Sequence, residues 1–71
     1  MTYTDYIRFV RFLKVDLEIS ERAIALAERV YKRIYPLEEN QRSNLLSIIL
    51  WQHGLLTIEQ LNHSFVWLED V

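Results

Sequence analysis

Leu45–Leu61 reads LLSIILWQHGLLTIEQL, and this stretch decides the fold. At ~100° per residue, Leu45, Ile48 and Ile49 fall on one side of a helix, Leu46 and Leu50 on a second, and Trp51 on a third. A helix that is apolar on every side is ordinarily surrounded by protein. The aliphatic run Leu45–Leu50 is far shorter than the ~20 residues that cross a bilayer, so it predicts a buried helix and not a membrane span. Gly54, the only glycine in the chain, predicts the stop, because glycine enters the left-handed conformation without a Cβ clash. Thr57-Ile-Glu-Gln60 then has the form of a capping box, in which Thr57 accepts from the Gln60 N–H and Gln60 reaches back. Leu56 and Leu61 stand at the two positions of a hydrophobic staple. Helix, Gly54 corner, helix is the resulting reading.

Working outward from the corner, the chain reads as helix throughout. Tyr3, Tyr6, Val10, Leu13 and Leu17 share a narrow arc with Phe9 beside them, which predicts a first helix over 4–17, with Arg8 and Arg11 opposite and Ile7 and Phe12 on the flanks. Ser20 is a good N-cap and Glu21 complements the helix dipole, which opens a second helix over 20–35. Its expected buried face is Ala23, Ala27, Val30, Tyr31 and Ile34, with Arg22, Arg29, Lys32 and Arg33 on the other side. Pro36 marks the break. The third helix is placed over 38–53, its start the least constrained boundary, and the fourth over 57–70, burying Ile58, Leu61, Phe65 and Leu68. No stretch alternates long enough to predict a strand. The fold class is therefore all-α: one domain over 1–71, a small compact bundle of about four helices packed as antiparallel pairs around the third.

Seventy-one residues make one small domain, whose single core is thermodynamically marginal. The absence of cysteine excludes disulfides and thiolate metal sites, and residues 1–6 lack the form of a signal peptide. A cytoplasmic location is the expectation. Charge is segregated. Residues 1–35 hold seven Lys/Arg against five Asp/Glu, whereas residues 36–71 hold one against five.

Candidate chemistry is sparse. His53 and His63 are the only histidines; their spacing matches no metal motif, and no Ser or Thr stands with a His and an acid in a recognised arrangement. The expectation is a non-catalytic protein without cofactor or metal. DNA binding through the corner is opposed by the fourth helix, which has no Lys or Arg and ends in Glu69-Asp70. The basic side of the second helix is the better nucleic-acid candidate, yet Glu21 and Glu28 dilute it, and a solvated charged face is the ordinary meaning of such a pattern. The first helix, with Arg8, Arg11 and Lys14 beside Phe9 and Phe12, has the form of an interfacial helix as well as of a core helix. Neither nucleic acid nor membrane is the expected partner.

Two stretches carry a resemblance. NLLSIILWQHGLLTIEQLNHSFVWLED (Asn44–Asp70) and YIRFVRFLKVDLEISERAIALAER (Tyr6–Arg29) resemble a family of small cyanobacterial proteins known as domain of unknown function 2949. LWQHGLLTIEQL followed by FVWLE (Leu50–Leu61, Phe65–Glu69) is the most specific part. The resemblance implies a cyanobacterial cytoplasm and a small all-helical protein, and it brings no chemistry. Leu46–Leu61 is also similar to half of the cyclic-di-GMP-binding N-terminal domain of type II secretion and type IV pilus ATPases. Leu45 stands where that motif has arginine and Ser47 where it has glycine, and a single copy of the motif is present instead of two. On that likeness Ser47, Gly54 and Gln60 would be the ligand-binding residues. Thr57, Gln60, Gly54, Leu56 and Leu61 read equally well as structural parts of the corner.

The favoured functional expectation is a small regulatory or adaptor protein that binds a larger protein through surplus apolar surface. Trp67 projects ~180° from the Ile58–Phe65 face, and tryptophan is enriched among interface hot spots. Trp67, His63, Gln60 and Phe12 are the expected contact residues, with Leu50 and Trp51 also in excess of one small core. A homodimer that covers the surplus, or a Trp67 folded back over a neighbouring helix, is the competing account.

Overall fold

The structure, a computed structural model, describes residues 3–36 and 41–69. Four helices run in order: α1 (Tyr3–Val15), α2 (Glu21–Ile34), α3 (Arg42–Gln52) and α4 (Ile58–Glu69). The described residues contain no strand. No helix among them is long and apolar enough to cross a membrane. The radius of gyration, 11.0 Å, is that of a compact chain of this length, about 11 Å.

Each helix boundary has a local cause. α1 stops two residues before the predicted end because Glu18 takes a left-handed φ of 56°. Around it the Leu17 N–H reaches the Phe12 carbonyl at 3.3 Å and the Ile19 N–H reaches that of Leu13 at 2.9 Å. Leu17 thus lies outside the helix, although it and Ile19 are buried. Ser20 caps α2, its Oγ accepting from the Ala23 N–H at 3.1 Å. Tyr35 closes that helix through its N–H to the Tyr31 carbonyl. α3 begins at Arg42, after Gln41; the predicted start at 38–40 lies outside the described residues, as does position 70 at the end of α4.

α3 is the centre, packed most extensively on α2, then α4, then α1. The core joins Tyr6, Phe9, Phe12 and Leu13 of α1 to Ile24, Ala27 and Tyr31 of α2, Leu46, Ile49 and Leu50 of α3, and Leu61 of α4. Three faces differ from expectation. On α2, Ile24 takes the core position and Ile34 is 56% exposed, because the helix turns its Ile24–Ala27–Tyr31 line inward. On α3, Trp51 is 43% exposed, so the helix is not enclosed on every side. On α4 the buried residues are Leu61 and Ser64, and Ile58 is 54% exposed. The cause is the α3–α4 seam. Ser47 and Ser64, both fully buried, meet with their hydroxyl oxygens 3.1 Å apart, and Ser64 Oγ donates to the Leu61 carbonyl at 2.7 Å. Small side chains let two helices approach where Ile58 and Phe65 would hold them apart.

Candidate functional site

The Gly54 corner is built as a closed structural unit. Gly54 has φ 71°; its N–H reaches the Trp51 carbonyl at 3.0 Å and the Leu55 N–H reaches that of Leu50 at 2.9 Å, the two bonds of a Schellman motif. His53 closes α3 with Nδ1 2.9 Å from the Ile49 carbonyl, which makes Nδ1 the protonated nitrogen, since a carbonyl only accepts. The capping box is present in both directions: the Gln60 N–H donates to Thr57 Oγ1 at 3.1 Å and the Thr57 N–H to Gln60 Oε1 at 2.9 Å. Gln60 Nε2 also donates to the Leu17 carbonyl at 3.3 Å, tying α4 to the end of α1. Leu56 and Leu61 are both buried. The residues of the dinucleotide reading are therefore engaged within the fold: Ser47 with Ser64, Gly54 in the turn, Gln60 with Thr57 and Leu17.

Of the residues expected to meet a partner, Phe12, His63 and Trp67 come together in an aromatic cluster. Phe12 is buried, not surplus to the core. Trp67 is half-buried and lies over α1, its ring 5.1 Å from Phe12 at 18° and 5.6 Å from Phe9. His63, exposed on its outer side, sets an edge against Phe12 at 5.7 Å. These residues do come together, but as a seal over the α1–α4 contact, and Gln60 beside them is held by its three hydrogen bonds. Their apolar surface is spent largely on each other.

Part of the exposed apolar surface lies on the opposite flank of the Ser47–Ser64 seam. Counting ~100° per residue from those two contact points, Asn44, Ile48 and Trp51 on α3 and Ile58, Phe65 and Leu68 on α4 fall on the same outer side. Asn44, Phe65, Leu68 and Glu69 line a shallow groove of about 530 Å³ there. Trp51 and Ile58 are exposed, while Ile48, Phe65 and Leu68 are half-buried. α4 contributes Glu59 and Glu69 and no cation. Trp51 is surplus to the core, as its position on the third side of the helix predicts, and the two seam serines are the sequence signal for which flank of α4 faces outward.

A second concavity lies between α1 and α2. Its volume is about 340 Å³, and its lining includes Tyr6, Ile7, Val10 and Arg11 of α1, Glu28 of α2 and Arg42 of α3. The Arg42 guanidinium stacks over the Tyr6 ring at 4.2 Å and stands 5.8 Å from that of Tyr31. Tyr6 Oη donates to Glu28 Oε2 at 3.0 Å. Burial first, and then the adjacent Glu28 carboxylate, pushes the Tyr6 phenol well above its ordinary range, with Arg42 opposing. The phenol therefore stays a donor. Nothing in the sequence pattern alone pointed to Arg42. On α2, Arg22, Arg29, Lys32 and Arg33 are exposed as a solvated face, with Glu28 turned to Tyr6. Among the described residues no group of three or more His, Cys, Asp or Glu stands together as metal ligands.

The chain belongs to the family described as protein of unknown function (DUF2949), whose family model matches residues 6–69. No curated protein and no solved structure matches it.

Proposed function

We propose, from that membership in a family without assigned chemistry and from the surface just described, that the protein is a non-catalytic regulatory or adaptor module. Its outer α3–α4 groove takes an amphipathic helix of a larger protein. The observation that carries the reading is Trp51, 43% exposed on α3, on the same side of the seam as Ile48, Ile58, Phe65 and Leu68. A helix laid into such a groove anchors through apolar residues at i, i+3, i+4 and i+7, and an aromatic in a partly desolvated setting is the usual centre of binding energy. Glu69 in the groove wall, with no Lys or Arg on α4, favours a partner segment flanked by basic residues. The reading is of a cytoplasmic protein, in keeping with a chain that has no cysteine and draws nothing from an oxidising compartment.

The test is a photo-crosslinking residue, benzoylphenylalanine, placed in turn at positions 51, 58 and 22 of the full chain in host lysate. Adducts from 51 and 58 but not from 22 are expected, with the crosslinked partner peptide apolar at helical spacing and flanked by Lys or Arg. Adducts to a second copy of this chain alone would turn the groove into a self-association surface. If 51 and 58 give no adduct, or no more than 22, the reading falls.

A further inference from the structure

We propose that the concavity between α1 and α2 is a binding site for a small amphipathic carboxylate, an aliphatic monocarboxylate whose head group pairs with Arg42. The inference is independent of the α3–α4 groove and rests on three observations. The first is size: about 340 Å³ lies within the range of small-molecule sites, and at about 30 Å³ per heavy atom, water's share of its liquid, it holds about eleven heavy atoms. The second is lining. Ile7 and Val15 are exposed, at 49% and 64%, and Val10 is half-buried between them, so one wall of the groove is apolar and open to solvent.

The third observation is Arg42. Its Cζ lies 4.2 Å over the Tyr6 ring and 5.8 Å from that of Tyr31, and the Tyr6 hydroxyl is a side-chain acceptor beside it. Its Nε is buried and has no hydrogen-bond partner among the described residues. No carboxylate of the described residues forms an ion pair with Arg42, since the ion pairs among them join Arg8 to Asp5 and Lys14 to Glu21. A buried, unmet N–H on a permanent cation is a disfavoured arrangement that a native protein rarely keeps without a ligand, ion or water to answer it. A carboxylate is the group that answers a guanidinium in its plane, with two parallel charge-assisted bonds. Glu28, the acid lining the groove, is occupied by the Tyr6 hydroxyl, and Arg11 and Lys14 add positive potential at the mouth. A neutral tail along Ile7, Val10 and Val15 with an anionic head at the Arg42 guanidinium sets apolar against apolar and opposite charges together.

The experiment is a ¹⁵N–¹H NMR titration of the full chain with decanoate, kept below its micelle concentration, and in parallel with decanol. Saturable shifts centred on residues 7–15 and 42 are expected with decanoate, and binding at least tenfold weaker with decanol. Arg42→Gln is expected to weaken decanoate at least tenfold and leave decanol unchanged. Because Arg42 also packs on two tyrosines, its loss can disturb the fold. Val15→Glu, a change at an exposed position, is the second variant, and its new carboxylate at the mouth is expected to weaken decanoate at least fivefold. An absence of saturable shifts to millimolar decanoate overturns the proposal, as does equal binding of decanol. Val15→Glu binding like wild type overturns it as well, whatever Arg42→Gln does.

Discussion

Trp67 and Trp51 were both candidates for a partner surface, and the structure gives them different work that truncation should separate. Trp67 is half-buried against Phe12 and Phe9. Truncating a fully buried aromatic to alanine costs about 3–5 kcal/mol. A half-buried ring forfeits about half of that and its stacked pair, about 1 kcal/mol, so Trp67→Ala is expected to cost about 2.5–3.5 kcal/mol. Trp51, 43% exposed on the outer flank, should lose about 1 kcal/mol or less. The difference is large for this chain, because 71 residues at about 0.05–0.15 kcal/mol each carry only about 4–10 kcal/mol in total. Urea unfolding followed by far-UV circular dichroism at 25 °C measures both variants. In a domain this small each kcal/mol moves Tm by about 4–8 °C, so Trp67→Ala should fall by about 10–28 °C and Trp51→Ala by about 8 °C or less. Each variant leaves one tryptophan as a reporter, and the lone Trp67 should emit further to the blue than the lone Trp51. The reasoning is refuted if Trp67→Ala lies within about 0.5 kcal/mol of wild type, or if Trp51→Ala costs as much.

Four further outcomes follow from the local geometry. Gly54→Ala meets no atom within 4 Å of the new Cβ, so its cost is backbone strain alone, about 1 kcal/mol; Glu18→Gly, at the other left-handed position, should raise stability in urea unfolding by about 0.5 kcal/mol. A neutral Gly54→Ala, or a destabilised Glu18→Gly, would contradict the two left-handed corners. Ser64→Val should cost about 2 kcal/mol by overpacking the seam and stranding the Ser47 hydroxyl, and a urea midpoint unchanged from wild type would show that the helices are not held that close. Above pH 10 the unfolded chain releases the Tyr6 proton while the folded chain, with its phenol raised by burial, keeps it, so stability falls as pH rises through this window. By pH 11 that loss is about 1.4 kcal/mol for one proton, and Tyr6→Phe should lack it when urea midpoints at pH 8 and pH 11 are compared.

What the sequence disclosed about the fold was whatever is decided within one helical turn. Thr57, Gln60 and Gly54 act on atoms three to five residues away, so their roles at the corner follow from spacing alone, and Ser20 on Ala23 is another case. Glu18 escaped this kind of reading because a left-handed glutamate has no side-chain signature. Its conformation follows from Leu17 and Ile19 both entering the core, a tertiary demand. Arg42 escaped for a related reason: an arginine after a polar stretch reads as surface, and only the meeting of α1, α2 and α3 puts two tyrosine rings beside it.

The face of α4 is the instructive failure, because the error and the candidate site have one cause. Ranking positions by side-chain size centres the buried arc on Leu61 and Phe65 and leaves Trp67 outside. The structure turns that arc by roughly 70°, at ~100° per residue, so that Ser64 faces α3 and Trp67 swings onto Phe12. In a core supplied by only four helices the closest approach belongs to the smallest side chains, and the large ones pack beside the seam on either flank. On the inner flank α1 is present to receive Trp67. On the outer flank no described helix follows, and Trp51, Ile48, Ile58, Phe65 and Leu68 are left with more apolar surface than their own chain covers. The rotation that seats Trp67 on Phe12 is the same one that leaves Ile58 exposed, on the side of the seam where the proposed partner groove lies.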